Sequence, residues 1–93
     1  KKALSKCDTF ISSMFHMALM YRKVHKYYKS LLYFTRVKDK LPEDKTVFIQ
    51  RGKVYQDMQN HSHAIGDFQR AIELDPLCSE AHFFMGLSLL KSG

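Results

Sequence analysis

The only two prolines of this chain, Pro42 and Pro76, stand 34 residues apart, and each closes an amphipathic stretch. Proline has no amide hydrogen to donate and pushes the residue before it out of the helical region, so each marks a helix end. Two helix ends at one fixed interval imply a repeated unit of that length. The side chains carry the same interval. Eight residues before the prolines stand Phe34 and Phe68, five before them Val37 and Ala71, and twelve before them Ser30 and Ala64. Tyr21 matches Tyr55, and Ala18, Gly52 and Gly86 form a series of three. Small residues at matching places let antiparallel helices approach closely, and large ones such as Tyr55 and Phe68 fill the space beside those contacts. The pattern predicts helices over about 12–25, 28–40, 46–58, 62–74 and 79–91.

Composition narrows the class further. A chain of 93 residues forms one domain at most, with a core barely large enough to support folding alone. With 45% hydrophobic and 26% charged residues, four Gly and two Pro, it is too apolar for disorder and too poor in turn formers for an all-β domain. No apolar run approaches the ~20 residues that cross a bilayer, and the Lys1-Lys2 start is not followed by a signal-peptide core. An intracellular, cytoplasmic protein is expected. Cys7 and Cys78 lack the number and spacing of a disulfide scaffold or a zinc site, so both are expected to be reduced structural thiols.

These residues resemble the tetratricopeptide repeat (TPR), whose 34-residue unit pairs a helix A with a helix B. Residues 45–78 carry the resemblance best, with Phe48, Gly52 and Tyr55 on helix A, Ala64, Phe68 and Ala71 on helix B, and Pro76 closing Ala-Ile-Glu-Leu-Asp-Pro. Residues 11–44 form a degenerate unit in the same register, marked by Phe34 and Pro42; residues 79–93 supply helix A of a further unit, marked by Gly86. Residues 1–10 are expected to end a preceding helix or to be a linker, and the chain to be a fragment of a longer array. The resemblance implies an all-α fold, antiparallel helix-turn-helix repeats stacked in a right-handed superhelix whose inner wall is lined by helix A. Three residues depart from the pattern: Arg51 where Leu is usual, Gln59 where a turn Gly is usual, and Gly66 inside helix B.

The family's groove positions are two, five, nine, twelve and thirteen of each unit. Carried onto this chain they are Ser12, Phe15, Leu19, Arg22 and Lys23; Thr46, Ile49, Lys53, Gln56 and Asp57; and Glu80, Phe83, Leu87, Leu90 and Lys91. Phe15, Leu19, Ile49, Phe83 and Leu87 would form the centre of the wall. Repeats that clamp the acidic C-terminus of heat-shock chaperones place Lys and Asn at positions five and nine of the first unit, and Lys and Arg at those of the third. Here Phe15, Leu19, Phe83 and Leu87 stand there. The resemblance therefore implies a protein-interaction scaffold with an apolar groove, taking an amphipathic helix or extended peptide of another protein. The unfinished third unit, through Phe84, Leu87 and Leu90, is expected to invite self-association.

Nothing in the sequence supplies enzyme chemistry. His61-Ser62-His63 has no third ligand at zinc spacing, and His16, His25 and His82 fall on separate helices. A phosphate loop, a nucleophile elbow and an HExxH motif are all absent, so neither a metal nor a cofactor is expected. The alternative function is binding of RNA or an acidic surface through the basic first half. Residues 1–40 carry net charge +8 and residues 41–93 carry −2, which together give the +6 of the chain. Arg22, Lys23, Lys26, Lys29, Arg36, Lys38 and Lys40 lie among Tyr21, Tyr27, Tyr28 and Tyr33. These charges do not recur once per unit as a base-reading repeat requires, so a protein partner is expected over a nucleic acid.

Overall fold

A computed structural model describes residues 6–92, with side chains from Phe10 onward. Five α-helices follow one another: α1 (Lys6–Lys23), α2 (Tyr27–Lys40), α3 (Lys45–Asp57), α4 (His61–Leu74) and α5 (Ser79–Ser92). Among the described residues there is no strand. Each helix packs against the next in sequence, and α3 also meets α5. The Cα extents of 46 × 30 × 17 Å fit a slab two helices thick. The architecture is an all-α helical-repeat solenoid.

Helix α1 departs from expectation at its start. Residues 6–10 continue it rather than ending a preceding helix, because neither Gly nor Pro interrupts the chain before Ile11. Lys1 to Ser5 lie outside the described residues, as do the side chain of Cys7 and the expectation attached to it.

The 34-residue interval becomes a packing interval. Phe34 and Phe68 are both fully buried, as are their flanking partners Ser30 and Ala64, Val37 and Ala71. Gly52 explains why the middle unit packs so closely. A Cβ built there would lie 2.7 and 2.8 Å from two ring carbons of Phe68, so only glycine admits this approach of α3 to α4. Buried Ser30 keeps its hydroxyl satisfied by donating to the Ala18 carbonyl at 2.7 Å.

The turns inside the two helix pairs are also equivalent. His25 and Gln59 have φ of 65° and 62°, the left-handed region. After α1, the Lys26 amide donates to Tyr21 O at 2.8 Å and the His25 amide to Arg22 O at 3.1 Å. After α3, Asn60 and Gln59 repeat the pattern on Tyr55 O and Gln56 O at 2.8 and 2.9 Å. This is the helix ending that normally uses glycine. A side chain in that region costs ~1–2 kcal/mol, partly offset by the ~0.5–1 kcal/mol that glycine loses in the unfolded state. Gln59→Gly is therefore expected to stabilise the chain by about 0.5–1 kcal/mol, read as a raised urea midpoint at unchanged slope.

Arg51, where Leu is usual, is accommodated by an acid on the facing helix. Its Nε and Nη2 donate to the two carboxylate oxygens of Asp67 at 2.8 and 2.7 Å, and Nη1 donates to Thr35 Oγ1 at 3.3 Å. The guanidinium also lies over the rings of Phe48 and Tyr55. One side chain thus ties α2, α3 and α4 together. At the start of α3, Asp44 caps the helix by accepting from the Thr46 amide at 2.9 Å. Lys45 of the same turn hydrogen-bonds Asp75 in the turn before α5, which, with the Leu77 amide, holds the Asp75 carboxyl below its ordinary range.

Candidate functional site

Helices α1, α3 and α5 carry the residues assigned to the inner wall, and the side chains of Arg22, Lys53 and Gln56 reach from one of these helices to the next. Arg22 Nε of α1 donates to Asp57 of α3 at 2.7 Å. Lys53 of α3 pairs with Glu80 of α5 at 2.7 Å and lies over the Phe84 ring, 4.6 Å from its centroid. Gln56 Nε2 donates to the Phe84 carbonyl at 2.9 Å and to Ser88 Oγ at 2.7 Å. The middle of the wall is consequently a polar belt whose charges already have partners. A ligand there would meet an ion-paired lattice, not free lysines.

This arrangement corrects the expected apolar centre. Ile49 is only 3% exposed and belongs to the core cluster of Phe48, Ala64, Phe68, Ala71 and Ala81, because α5 packs over that side of α3. It does not line an open groove. The apolar residues that remain sit at the two ends of the belt. At one end Phe15 and Leu19 are half-buried, with Phe15 edge-on to Phe34 at 5.6 Å between centroids. Beside them Ile11, Ser12, Phe15, Thr46 and Val47 help to line a cleft of about 320 Å³. At the other end Phe83 is 62% exposed and Leu87 half-buried.

The unfinished-unit expectation needs one change. Phe84 is not part of the open surface, since its ring stacks on Phe68 at 5.9 Å, while Leu89 and Leu90 are exposed with Phe83. Gly86, equivalent to Gly52, has nothing within 4 Å of a Cβ built on it.

The basic residues gather around α2. Lys23, Lys26, Lys29 and Arg36 are exposed; Lys38 is half-buried beside Asp39 at 3.5 Å, and Arg22 belongs to the wall through Asp57. The tyrosines among them are mostly occupied. Tyr21 stacks on Tyr33 at 5.6 Å, with Lys29 over the Tyr21 ring, and Tyr27 bonds to His25 at 2.7 Å. Three further histidines bond locally, His16 to Ser12 O, His63 to Asn60, and His82 to Pro76 O, whereas His61 Nδ1 is buried without a partner. Among the described residues, no three His, Cys, Asp or Glu side chains are grouped to hold a metal. Among the described residues no helix is long and apolar enough to cross a membrane. Cys78 is a free, half-buried thiol against the core.

No family model and no curated protein matches the chain by sequence. Solved structures do match by shape. The Sgt2 TPR domain from Aspergillus fumigatus superposes with a TM-score of 0.84 at 20% identity, over 88% of this chain and 54% of that one. The chain has a tetratricopeptide-repeat fold. A second TPR structure, the first TPR of Spaghetti (RPAP3) bound to the HSP90 peptide SRMEEVD, gives a TM-score of 0.84 at 18% identity, over 88% of this chain and 65% of that one. The chain thus spans 54% and 65% of the lengths of these two TPR structures. Within that fold Phe34 and Phe68 are both fully buried, and Pro42 and Pro76 stand in the turns that follow α2 and α4.

Proposed function

We propose that the chain is a protein-interaction scaffold that binds a segment of a partner protein along the wall formed by α1, α3 and α5. The observation that carries this reading is Phe83, a large aromatic side chain left 62% exposed on α5 while its neighbour Phe84 is packed against the core. Burying such a ring contributes ~2 kcal/mol or more to a complex. Leu87 beside it and Phe15 and Leu19 across the belt extend the apolar contact.

The peptide held by the Spaghetti (RPAP3) domain supports a peptide as the class of ligand. Its acidic chemistry does not suit this wall. Phe15, Leu19, Phe83 and Leu87 stand at the clamp positions, and Arg22 and Lys53 are neutralised by Asp57 and Glu80. A segment with large apolar residues spaced to reach both ends of the belt fits better. The exposed Leu90 makes a second copy of the chain a competitor for the same end, so binding is best measured at low protein concentration.

Selection of random displayed peptides on the immobilised chain tests the proposal. Retained peptides without acidic residues are expected to carry large apolar residues, to bind with little salt dependence, and to weaken roughly tenfold or more with Phe83→Ser. Preferential binding of SRMEEVD, or a silent Phe83→Ser among those non-acidic peptides, would overturn it.

A further inference from the structure

We propose that the solvent face of α2 is a second docking surface, which takes an acidic amphipathic helix from a partner protein. This goes beyond the wall and uses none of its residues. Tyr28 is 80% exposed, Leu32 is 51% exposed and Arg36 is exposed, a row spaced four residues apart along one side of the helix. The buried side of α2 is formed by Ser30, Phe34 and Val37, so the outer row takes no part in holding the solenoid together.

The repeat supplies its own control. Thirty-four residues further on, α4 buries Ala64, Phe68 and Ala71 in the same way and presents Ser62, Gly66 and Arg70 outward. The same fold position is therefore satisfied by a hydroxyl and a hydrogen where α2 exposes a phenol and an isobutyl group. Packing does not require Tyr28 and Leu32 to be large.

Charge selects the partner. Lys26, Lys29, Arg36 and Lys40 are exposed around the row, and among the described residues none of them forms an ion pair. On α4, Arg70 is already paired with Glu73 at 3.0 Å. An apolar row at helical spacing, flanked by unpaired cations, is complementary to a helix with an apolar stripe between acidic flanks. A single-stranded nucleic acid would instead need open aromatic faces. Of the four tyrosines here only Tyr28 is exposed, since Tyr21 and Tyr33 stack on each other and Tyr27 is half-buried.

The test uses three fluorescent probes: a synthetic helix with leucines four apart between glutamates, the same helix with lysines for glutamates, and a single-stranded oligouridylate. The acidic helix is expected to bind best. Tyr28→Ser with Leu32→Ala should weaken it roughly tenfold or more, and Phe83→Ser should leave it unchanged. Lys29→Glu with Arg36→Glu should invert the preference toward the lysine helix, which keeps the test decisive if the first pair perturbs folding. Equal binding of both helices, preference for the oligouridylate, dependence on Phe83, or indifference to both pairs of substitutions would overturn the proposal.

Discussion

Gly52→Ala is expected to destabilise the chain, while Gly86→Ala, the same substitution one unit later, stabilises it. Alanine is ~1 kcal/mol better than glycine inside a helix, and both sites would collect that gain. At Gly86 the new methyl group meets open space, so the gain stands alone. At Gly52 it would lie 2.7 Å from a ring carbon of Phe68, which is fully buried and has nowhere to move. Overpacking of this kind costs ~1–3 kcal/mol, so the two variants should differ by about that amount. Urea unfolding of both at one protein concentration reads the difference. Combining Gly52→Ala with Phe68→Leu should cost less than the two single substitutions added together, because the smaller side chain makes room for the methyl group. Additivity of the pair would mean that α3 and α4 do not meet through these two residues.

The second large effect concerns Arg51 and Asp67, whose side chains are only 15% and 8% exposed. Removing either leaves the other as an unpaired charge in a poorly solvated place. Asp67→Ala and Arg51→Leu should each cost about 3 kcal/mol. The double variant should recover most of that loss, because it removes both desolvated charges at once and restores the aliphatic residue the repeat usually carries. If the two costs simply add, the pair is not a coupled unit. A neutral Asp67→Ala would show that Arg51 reaches water unaided.

The fold was legible because its determinants are local and periodic. Proline beyond the first turn interrupts a helix, and Phe34 and Phe68 fall one repeat apart at positions that must meet a small residue on the preceding helix. The candidate site was legible only in part. Phe83 and Leu87, expected at the centre of an open wall, are exposed and half-buried on α5, but Ile49, expected with them, is buried. Which residues of α3 remain open depends on how closely α5 packs beside it, a tertiary distance that no spacing along the chain encodes. The polar belt escaped for a related reason. Arg22 and Asp57 are 35 residues apart, and nothing local marks them as partners. The Arg51–Asp67 pair did leave a trace. Arginine at a usual leucine position, with an acid immediately before the core Phe68, is a buried charge that needs an equally buried partner.

The wall of α1, α3 and α5 as a binding surface is tested most directly by amide chemical shifts of the labelled chain while a selected apolar peptide is added. Shifts are expected to concentrate at both ends of the polar belt, around Phe15 and Leu19 on α1 and around Phe83 and Leu87 on α5, and to vanish at the α5 end in Phe83→Ser. Shifts confined to the outer faces of α2 and α4, or a saturating titration that leaves α1 and α5 unperturbed, would contradict binding on that wall.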